Sequence, residues 1–384
     1  MATGTRQATL PFISPPRHLP PEGHVPELQR ALLSWFAEHM RPLPWRRRYA
    51  PYEVWISEMM LQQTQMERGV AYFERWMERF PDLSVLAAAE EDEVLKMWEG
   101  LGYYNRARNV LAAARLVVSR HGGVFPSGIE DIRALPGIGP YTAAAIASIA
   151  FGAPVPCIDA NVERVLSRIF DIDTPLRQSP GAERVKELAS AVLPKDRARE
   201  HNQAMMELGA LVCRKSPQCS GCPVADFCVA RHLGVAADRP VALPKTPRTP
   251  IVIATGVLRQ GDAVYVQRRE EGDVWGGLWE FPGGVLEPGE TPEDGLVREY
   301  REETGFTVSI TRKGGVIVHA YTTYRVTMHW FVVHLPVQGT PPPPSLTAAS
   351  EWRWATLEEL QSLPLPSPHR KLADSLFGVS GAGS

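Results

Sequence analysis

Apolar residues recur at helical spacing through the first part of the chain. Between about Pro26 and Ala230 they lie three and four residues apart, with short polar breaks, which is the period of an amphipathic helix. The segments that carry this pattern include SWFAEHM, VWISEMMLQQTQMERGVAYFERWMERF, EVLKMWEGLGYYNRARNVLAAARLVVSRHG and YTAAAIASIAFG. The pattern predicts an all-α domain over residues 26–230.

The period changes after a segment punctuated by proline, RHLGVAADRPVALPKTPRT, which predicts a linker over residues 231–249. In PIVIATGVLRQGDAVYVQRR, β-branched residues flank a Gly-Asp turn, and TVSI and RVTMHWFVVHLPV have the same strand character. A single helix, PEDGLVREYREETG, interrupts the strands. We therefore expect a multidomain chain, with an α+β domain over residues 250–377 after the all-α domain.

Charge and terminal composition narrow the picture further. Residues 1–25 are rich in proline and poor in acidic residues, which predicts a disordered tail, with a transit peptide as the alternative; a second short tail is expected over residues 378–384. The net charge of −2 excludes a basic field over the whole protein, so any contact with nucleic acid must use local patches. No apolar run has the length of a membrane span, and we expect no membrane partner.

Four of the five cysteines are close together in CRKSPQCSGCPVADFC, at positions Cys213, Cys219, Cys222 and Cys228. Such clustering indicates a metal site in a reducing compartment rather than a disulfide framework. The spacing suits either a 4Fe–4S cluster or a zinc ion. It favours the iron–sulfur cluster, because zinc sites usually have two CxxC pairs and this segment has one. The remaining cysteine, Cys157, is expected to be a buried thiol.

The segment LPGIGPYTAAAIASIAFG places Gly137 and Gly139 directly before an apolar helix. A tight turn there directs main-chain N–H groups outward at a helix N-terminus, where an anion is favoured. We expect these glycines to bind the DNA backbone, as in the helix–hairpin–helix motif. The alternative is an ordinary loop between two helices.

Two carboxylates upstream and downstream of this turn are candidates for chemistry. Glu58 lies on an apolar helix, where an acid is costly unless it is paired or functional. Asp159 precedes a helix, where a structural N-cap is the alternative, and Asn161 follows two residues later. Two carboxylates in different environments are what the cleavage of a glycosidic bond requires, one protonated and one ionised.

A cluster of glutamates lies near the C-terminus. Gly284, Glu290 and the run REYREETGF from Arg298 to Phe306 have the spacing of a Nudix box, with Tyr300 in place of the usual aliphatic residue. Three of its acids are spaced three and four residues apart on one helix and can converge on Mg²⁺ against a diphosphate; they are Glu299, Glu302 and Glu303. The alternative is a solvated acidic helix face.

Taken together, the helical segments resemble the endonuclease III superfamily of DNA glycosylases, and within it the MutY family of adenine DNA glycosylases. The resemblance runs through LPWRRRYAPYEVWISEMMLQQTQ, WEGLGYYNRARN, LPGIGPYTAAAIASIAFG, CIDANVERVLSR and HNQAMMELGALVC. It implies base excision repair, with adenine removed from double-stranded DNA where it is paired with 8-oxoguanine or guanine. In this family Glu58 would protonate the adenine, Asp159 would stabilise the sugar cation, and Tyr141 and Asn161 would support these two carboxylates.

The resemblance also implies residues that hold and extrude the base. Gln63 and Tyr103 match residues that wedge into the base stack, and the base pocket would be lined by Arg41, Leu43, Trp45 and Gln203. Bifunctional relatives carry a lysine where this chain has Tyr141, so we expect monofunctional hydrolysis. A 4Fe–4S cluster is implied as cofactor, although this chain has five residues between its first two cysteines where the family usually has six.

For the C-terminal domain, the resemblance implies recognition of 8-oxoguanine. Tyr321 and Thr322 would contact that base, and Thr323 stands where the family has histidine. We further expect a monomer in the cytoplasm of a bacterium, associated with its nucleoid. The competing hypotheses are a Nudix pyrophosphohydrolase acting on a substrate such as 8-oxo-dGTP, fused to a DNA-binding helical module, and a protein with both activities, for which Mg²⁺ would be a second cofactor.

Overall fold

The computed structural model describes residues 21–242, 247–272, 275–320, 324–336 and 341–376. Its contacts divide the chain into two compact units, each built from two separate stretches. The first unit contains residues 1–58 and 126–244, and the second contains residues 59–125 and 245–384. Within the described ranges, none of the helices combines the length and the apolar character that a membrane span would need.

Residues 21–242 are helical, as the apolar spacing predicts. The helices are α1 (Val25–His39), α2 (Pro51–Leu61), α3 (Met66–Arg79), α4 (Leu83–Ala87), α5 (Glu91–Trp98), α6 (Asn105–His121), α7 (Ile129–Arg133), α8 (Pro140–Phe151), α9 (Ala160–Ile169), α10 (Gly181–Ala191), α11 (Ala198–Leu211) and α12 (Val229–His232). Short 3-10 turns lie between them at Pro21–Gly23, Pro44–Arg46, Cys219–Gly221, Ala225–Phe227 and Ala236–Asp238.

The core of the first unit forms where α1 packs against α9, α10 and α11. Leu28, Leu32 and Phe36 supply the face of α1, and their spacing of four residues aligns them along one side of the helix. Helix α8 is buried on almost every side, from Thr142 to Ile149, as expected for a helix without a polar face. The first residue of α2 and the first residue of α8 are proline, which has no N–H to leave unsatisfied there.

The second unit contains α3 to α6 together with a mixed α/β domain. The described residues of that domain form seven strands and three helices: β1 (Thr249–Gln260), β2 (Ala263–Arg269), β3 (Trp279–Glu280), β4 (Gly283–Val285), α13 (Pro292–Thr304), β5 (Ser309–Ala320), β6 (Tyr324–His334), β7 (Ala349–Thr356), α14 (Leu357–Ser362) and α15 (Ser367–Leu376). The strand order is β3-β2-β1-β6-β5, with β4 paired to β1 and β7 paired to β2. The β1–β6 pair is parallel, and the other pairs are antiparallel.

Helix α13 packs on the sheet through a tyrosine where the Nudix pattern has an aliphatic residue. The Tyr300 ring is fully buried, and its hydroxyl donates a hydrogen bond of 2.7 Å to the carbonyl oxygen of Gly256 on β1. A Cβ at Gly256 would lie 2.6 Å from Tyr300 Cε2, closer than packed carbon atoms approach. The missing side chain at residue 256 therefore makes room for the larger ring.

Several elements of the C-terminal domain have no counterpart in the sequence prediction. The strands β1, β2 and β6 and the helix α13 lie where the pattern predicts them, and β5 continues beyond the predicted segment to Ala320. The strands β3, β4 and β7 and the helices α14 and α15 were not predicted. Two of these strands contain only two or three residues, too few to show a period of two.

Candidate active site

The Glu58 carboxylate lies on α2 and is paired with a tyrosine from α8. The Tyr141 hydroxyl donates a hydrogen bond of 2.9 Å to Glu58 Oε2. Desolvation by the surrounding protein raises the pKa of Glu58 to about 7, and the negative charge of Asp159 adds to the rise, while the Tyr141 hydrogen bond and the positive charge of Arg46 oppose it. Near neutral pH, Glu58 is therefore a carboxyl group that can give up a proton.

The Asp159 carboxylate is held at the N-terminus of α9 by two donors. Its Oδ1 accepts a hydrogen bond of 2.7 Å from the main-chain N–H of Val162, and its Oδ2 accepts one of 2.8 Å from Asn161 Nδ2. Hydrogen bonds of this kind orient a carboxylate. Asp159 is thus the N-cap of α9, which was the structural alternative for this residue, and its geometry is also that of an oriented anion.

Asn161 and an arginine connect this carboxylate to the segment that follows α11. Asn161 Oδ1 accepts a hydrogen bond of 2.8 Å from Arg164 Nη2, and Arg164 Nε donates one of 2.7 Å to the carbonyl oxygen of Cys213. The amide of Asn161 is thereby fixed, with its nitrogen toward Asp159.

The residues expected to line a base pocket lie around a buried ion pair that the sequence pattern did not single out. Glu207 on α11 accepts hydrogen bonds of 2.9 Å from Arg41 Nε and from Arg46 Nη1. Burial alone would raise the pKa of Glu207, but these bonds hold it below its usual value. Glu207 is an acid between apolar residues of α11, so its position, like that of Glu58, could have been singled out from the sequence.

This ion pair anchors the segment before α2 to α11. Leu43 and Trp45 lie in that segment and are buried. Gln203, one helical turn before Glu207, is also buried, and its Nε2 donates to the carbonyl oxygen of Arg199 at 3.1 Å. The first unit thus brings together the predicted pocket residues Arg41, Leu43, Trp45 and Gln203.

The two glycines of the predicted hairpin lie between α7 and α8. Gly137 has a φ of 73°, a left-handed conformation that favours glycine. Gly139 is the N-cap residue of α8, and no side chain within the described ranges caps this helix end. The N-terminal N–H groups of α8 can therefore bind an anion.

The four clustered cysteines line one cavity in the first unit, together with Arg168 and Arg231. None of the four is in a disulfide, and Arg168 Nη1 donates to Cys213 Sγ at 3.3 Å. Within the described ranges, no three His, Cys, Asp or Glu side chains form a group that could hold a metal ion. Four thiols around one cavity do fit a cluster larger than a single ion.

The residues expected to wedge into DNA lie in two turns of the second unit. Gln63 follows α2, and Tyr103 precedes α6; both are exposed. Their φ values are 60° and 51°, in the left-handed region that residues other than glycine rarely occupy. Tyr103 presents its ring to solvent with 50% of its surface exposed.

The glutamates of the Nudix box are engaged by protein groups. Arg298 Nη1 donates hydrogen bonds of 3.0 Å to Glu299 and to Glu302. Glu303 faces inward, where it accepts hydrogen bonds from Gln267 Nε2 at 2.9 Å and from the N–H of Gly283 at 3.0 Å. A Mg²⁺ ion bound here would have to displace Arg298, so the predicted Mg²⁺ site gains no support and stays a prediction.

The predicted contacts to 8-oxoguanine, Tyr321 and Thr322, lie outside the described residues.

Two family models match the chain. Residues 56–195 match the HhH-GPD superfamily of base excision DNA repair proteins, and residues 254–375 match the NUDIX domain. The chain is 34% identical to the adenine DNA glycosylase of Homo sapiens, over 91% of this chain and 73% of the human protein. It is 40% identical to the adenine DNA glycosylase of Mycolicibacterium smegmatis, over 54% of this chain and 70% of that protein.

The fold of the helical part is also found in a solved structure. A thermostable thymine-DNA glycosylase matches 55% of this chain and 98% of its own, with a TM-score of 0.50 and 25% sequence identity.

Proposed function

The chain belongs to the family of adenine DNA glycosylases of base excision repair, and on this premise we propose that it hydrolyses the N-glycosidic bond of adenine paired with 8-oxoguanine or guanine in double-stranded DNA. The observation that carries the proposal is the difference between two carboxylates of the first unit. Glu58, whose pKa is raised to about 7, accepts a hydrogen bond from Tyr141, and the Asp159 carboxylate is oriented by Asn161 and the N–H of Val162.

In the proposed reaction, the protonated Glu58 donates its proton to a ring nitrogen of the adenine. The bond between that base and C1′ of the sugar then breaks, with its electron pair leaving on the neutral adenine. The sugar becomes an oxocarbenium-like cation, which the negative Asp159 stabilises. A water molecule adds to C1′ and loses a proton, which leaves an abasic site.

The absence of an amine nucleophile at residue 141 supports a monofunctional reaction. A lysine there would form a Schiff base with the sugar, whereas the Tyr141 hydroxyl is hydrogen-bonded to Glu58, and burial raises the pKa of Tyr141 well above its usual value. Borohydride should therefore trap little protein on DNA that contains adenine opposite 8-oxoguanine. Strong trapping would contradict the monofunctional step.

The four cysteines would hold a 4Fe–4S cluster, with Arg168 donating to the Cys213 sulfur. Such a cluster cross-links the segment after α11 and orders it. Anaerobically purified protein should have a broad absorbance near about 400 nm, and its absence would contradict the cluster.

The recognition of 8-oxoguanine is assigned to the C-terminal NUDIX domain and its residues Tyr321 and Thr322. We expect Thr322→Ala to lower the preference for adenine opposite 8-oxoguanine over adenine opposite guanine.

The clustered cysteines, none of which forms a disulfide, suit the reducing cytoplasm of a bacterium. There the protein would act as a monomer on the nucleoid.

The proposal is tested by single-turnover release of adenine from duplexes with adenine opposite 8-oxoguanine, guanine or thymine. We expect release from the first two by the wild type, and a loss of about 10²-fold or more in Glu58→Gln. The matched control is Glu53→Gln on the same helix, whose carboxylate is paired with Arg48, and it should retain the wild-type rate. Absence of adenine release by the wild type would overturn the proposal.

A further inference from the structure

A buried arginine of α6 connects the two turns that carry Gln63 and Tyr103. Arg106 is 9% exposed. It lies in the first turn of α6, so that Tyr103 precedes it by three residues, while Gln63 belongs to a turn more than forty residues earlier in the chain. The two turns are therefore brought together by the fold and not by sequence proximity.

The Arg106 guanidinium donates to two main-chain carbonyl oxygens in each of the two segments, and one of the four, that of Met59, lies in the last turn of α2. Nη1 donates to Met59 at 2.6 Å and to Gln62 at 2.9 Å. Nη2 donates to Leu101 and to Gly102, both at 3.1 Å. A planar fork of fixed N–H directions can satisfy four such acceptors at once, which the single ammonium group of lysine cannot do.

Two of these carbonyl groups belong to the peptide units that lead directly into the predicted wedge residues. The Gln62 carbonyl is part of the peptide unit before Gln63, and the Gly102 carbonyl is part of the unit before Tyr103. Both residues have positive φ values, 60° and 51°, a strained conformation in a residue other than glycine. Such a conformation persists only where neighbouring contacts fix the backbone, and Arg106 supplies contacts to both.

The side chain of Tyr103 also lies against the guanidinium. The Arg106 Cζ atom is 5.7 Å from the centroid of the Tyr103 ring and 5.2 Å from that of Trp98, within the range of a cation–π contact. Burial lowers the pKa of Arg106 to about 10, which leaves the side chain charged at neutral pH. The cation thus contacts the main chain and the ring of the same residue.

We propose that Arg106 is a positioning residue that sets the main-chain geometry of Gln63 and Tyr103 for their insertion into the base stack. The inference rests on the proposed function, since it takes these two residues to be the wedge. It adds that their geometry is set jointly by one side chain that itself does not need to touch DNA. Loss of the four hydrogen bonds should slow base extrusion and leave the chemistry of Glu58 and Asp159 intact.

The test measures extrusion apart from chemistry. The adenine opposite 8-oxoguanine is replaced by 2-aminopurine, whose fluorescence rises when it leaves the base stack, and the protein carries Glu58→Gln so that no base is released. In this parent protein, we expect a rise in fluorescence on mixing with DNA. Arg106→Lys should slow the rise by about tenfold to a hundredfold, the effect of a misplacement of about 1 Å.

The matched control is Arg115→Lys on the same helix. Arg115 also donates to main-chain carbonyl groups, from Nε to Ala87 at 3.1 Å and from Nη2 to Ala89 at 2.9 Å, but neither acceptor lies in the turn of Gln63 or of Tyr103. Its rate should equal that of the parent. Equal rates for the two lysine variants would overturn the inference alone, whereas no rise in the parent would overturn the wedge assignment and the inference with it.

A second pair of variants tests the role of Arg106 if Arg106→Lys does not fold. Gly102 and Gly122 both have positive φ, 71° and 60°, and a Cβ at either would meet no atom within 4 Å. Alanine therefore strains each by a similar amount, but only Gly102 supplies a carbonyl to Arg106. A slower rise in Gly102→Ala alone supports the inference, and equal rates in the two alanine variants overturn it.

Discussion

At the scale of single residues, two carboxylates of one unit have different surroundings, which suit the opposite roles proposed for them. Glu58 is surrounded by protein on an apolar helix and accepts one hydrogen bond from a side chain. Asp159 accepts a main-chain N–H in addition to a side-chain amide. Desolvation favours the protonated form of Glu58, whereas the two hydrogen bonds to Asp159 fix the orientation of its carboxylate.

The raised pKa of Glu58, about 7, predicts how adenine excision depends on pH. Glu58 is protonated below its pKa, and only the protonated form can donate to the base. The single-turnover rate should therefore be highest below about pH 6 and fall about tenfold for each unit of pH above 7. Rates measured from pH 6 to 9 on adenine opposite 8-oxoguanine test this, and a constant rate across that range would contradict it.

Sequence reasoning found these two acids but missed Arg106. An acid on an apolar helix face, or one just before a helix, is visible in the order of the residues. The acceptors of Arg106 are main-chain carbonyl groups, and two of them lie more than forty positions away. Every residue has such a carbonyl, so no pattern of side chains indicates which ones an arginine will meet.

At the scale of secondary structure elements, Asp159 is the N-cap of α9 in addition to its proposed part in catalysis. Asparagine caps helices as well as aspartate does, whereas alanine does not. We expect the free energy of unfolding of Asp159→Asn to lie within about 0.5 kcal/mol of the wild-type value. That of Asp159→Ala should be lower by about 1 kcal/mol. Both should lose adenine excision, because both remove the negative charge.

Urea titrations followed by circular dichroism, with excision assays on the same preparations, separate the two functions of Asp159. Substantial excision by Asp159→Asn would show that the charge is not required. Equal stability of the alanine and asparagine variants would show that the cap contributes little to folding.

The contact between Tyr300 and Gly256 predicts a coupled pair of substitutions between α13 and β1. Gly256→Ala should destabilise the protein by about 1–3 kcal/mol, because the new Cβ overlaps the ring. Tyr300→Leu alone leaves a gap in the packing. In the double variant, however, it should restore part of the stability that Gly256→Ala removes. A double-mutant cycle from urea midpoints measures this coupling, and additive effects would contradict the steric explanation.

Most of the long helices and strands were predictable, although β7 and α15, of eight and ten residues, were missed together with the very short strands β3 and β4. Helix α13 is long enough to show a helical period in the sequence. The side chain of Thr291 caps it by accepting a hydrogen bond of 3.2 Å from the N–H of Asp294. The strand β3 contains Trp279 and Glu280 alone, and it exists because β2 offers it main-chain partners. Pairing of this kind depends on tertiary structure and leaves no period in the sequence.

At the scale of the whole molecule, each compact unit consists of two stretches that are distant in sequence. Composition predicts a division at residues 231–249, where proline is frequent. Contacts instead group residues 59–125 with the C-terminal domain in the second unit. Arg268 Nη2 donates to Asp92 at 2.7 Å, and the Tyr104 hydroxyl donates to the carbonyl oxygen of Leu365 at 3.0 Å. Individual long-range contacts such as these cannot be read from local composition.

Substitution of Arg370 tests how much such long-range contacts contribute to the stability of the second unit. Its Nε donates to Glu99 at 2.6 Å, and its Nη2 donates to the carbonyl oxygen of Leu363 at 2.7 Å. Arg370→Ala should cost about 1–3 kcal/mol and lower the unfolding temperature of the second unit by about 2–8 °C. Differential scanning calorimetry measures the shift.

The control for this experiment is Arg79→Ala. Arg79 forms a more exposed ion pair with Glu93, and such pairs contribute about 0–1 kcal/mol. Its removal should shift the transition by less than about 2 °C. Equal shifts in the two variants would show that Arg370 does not join the stretches of this unit.

The guanidinium of Arg106 has a consequence for which substitutions this protein can accept during evolution. Its four acceptors are main-chain oxygens, so the hydrogen bonds that it donates do not depend on which side chains stand at residues 63 and 103. Substitutions at residues 63 and 103, the proposed wedge positions, can then be accepted one at a time without changes in the turns that present them. The same independence makes these positions suitable for installing fluorescent or photoreactive amino acids that report on damaged DNA.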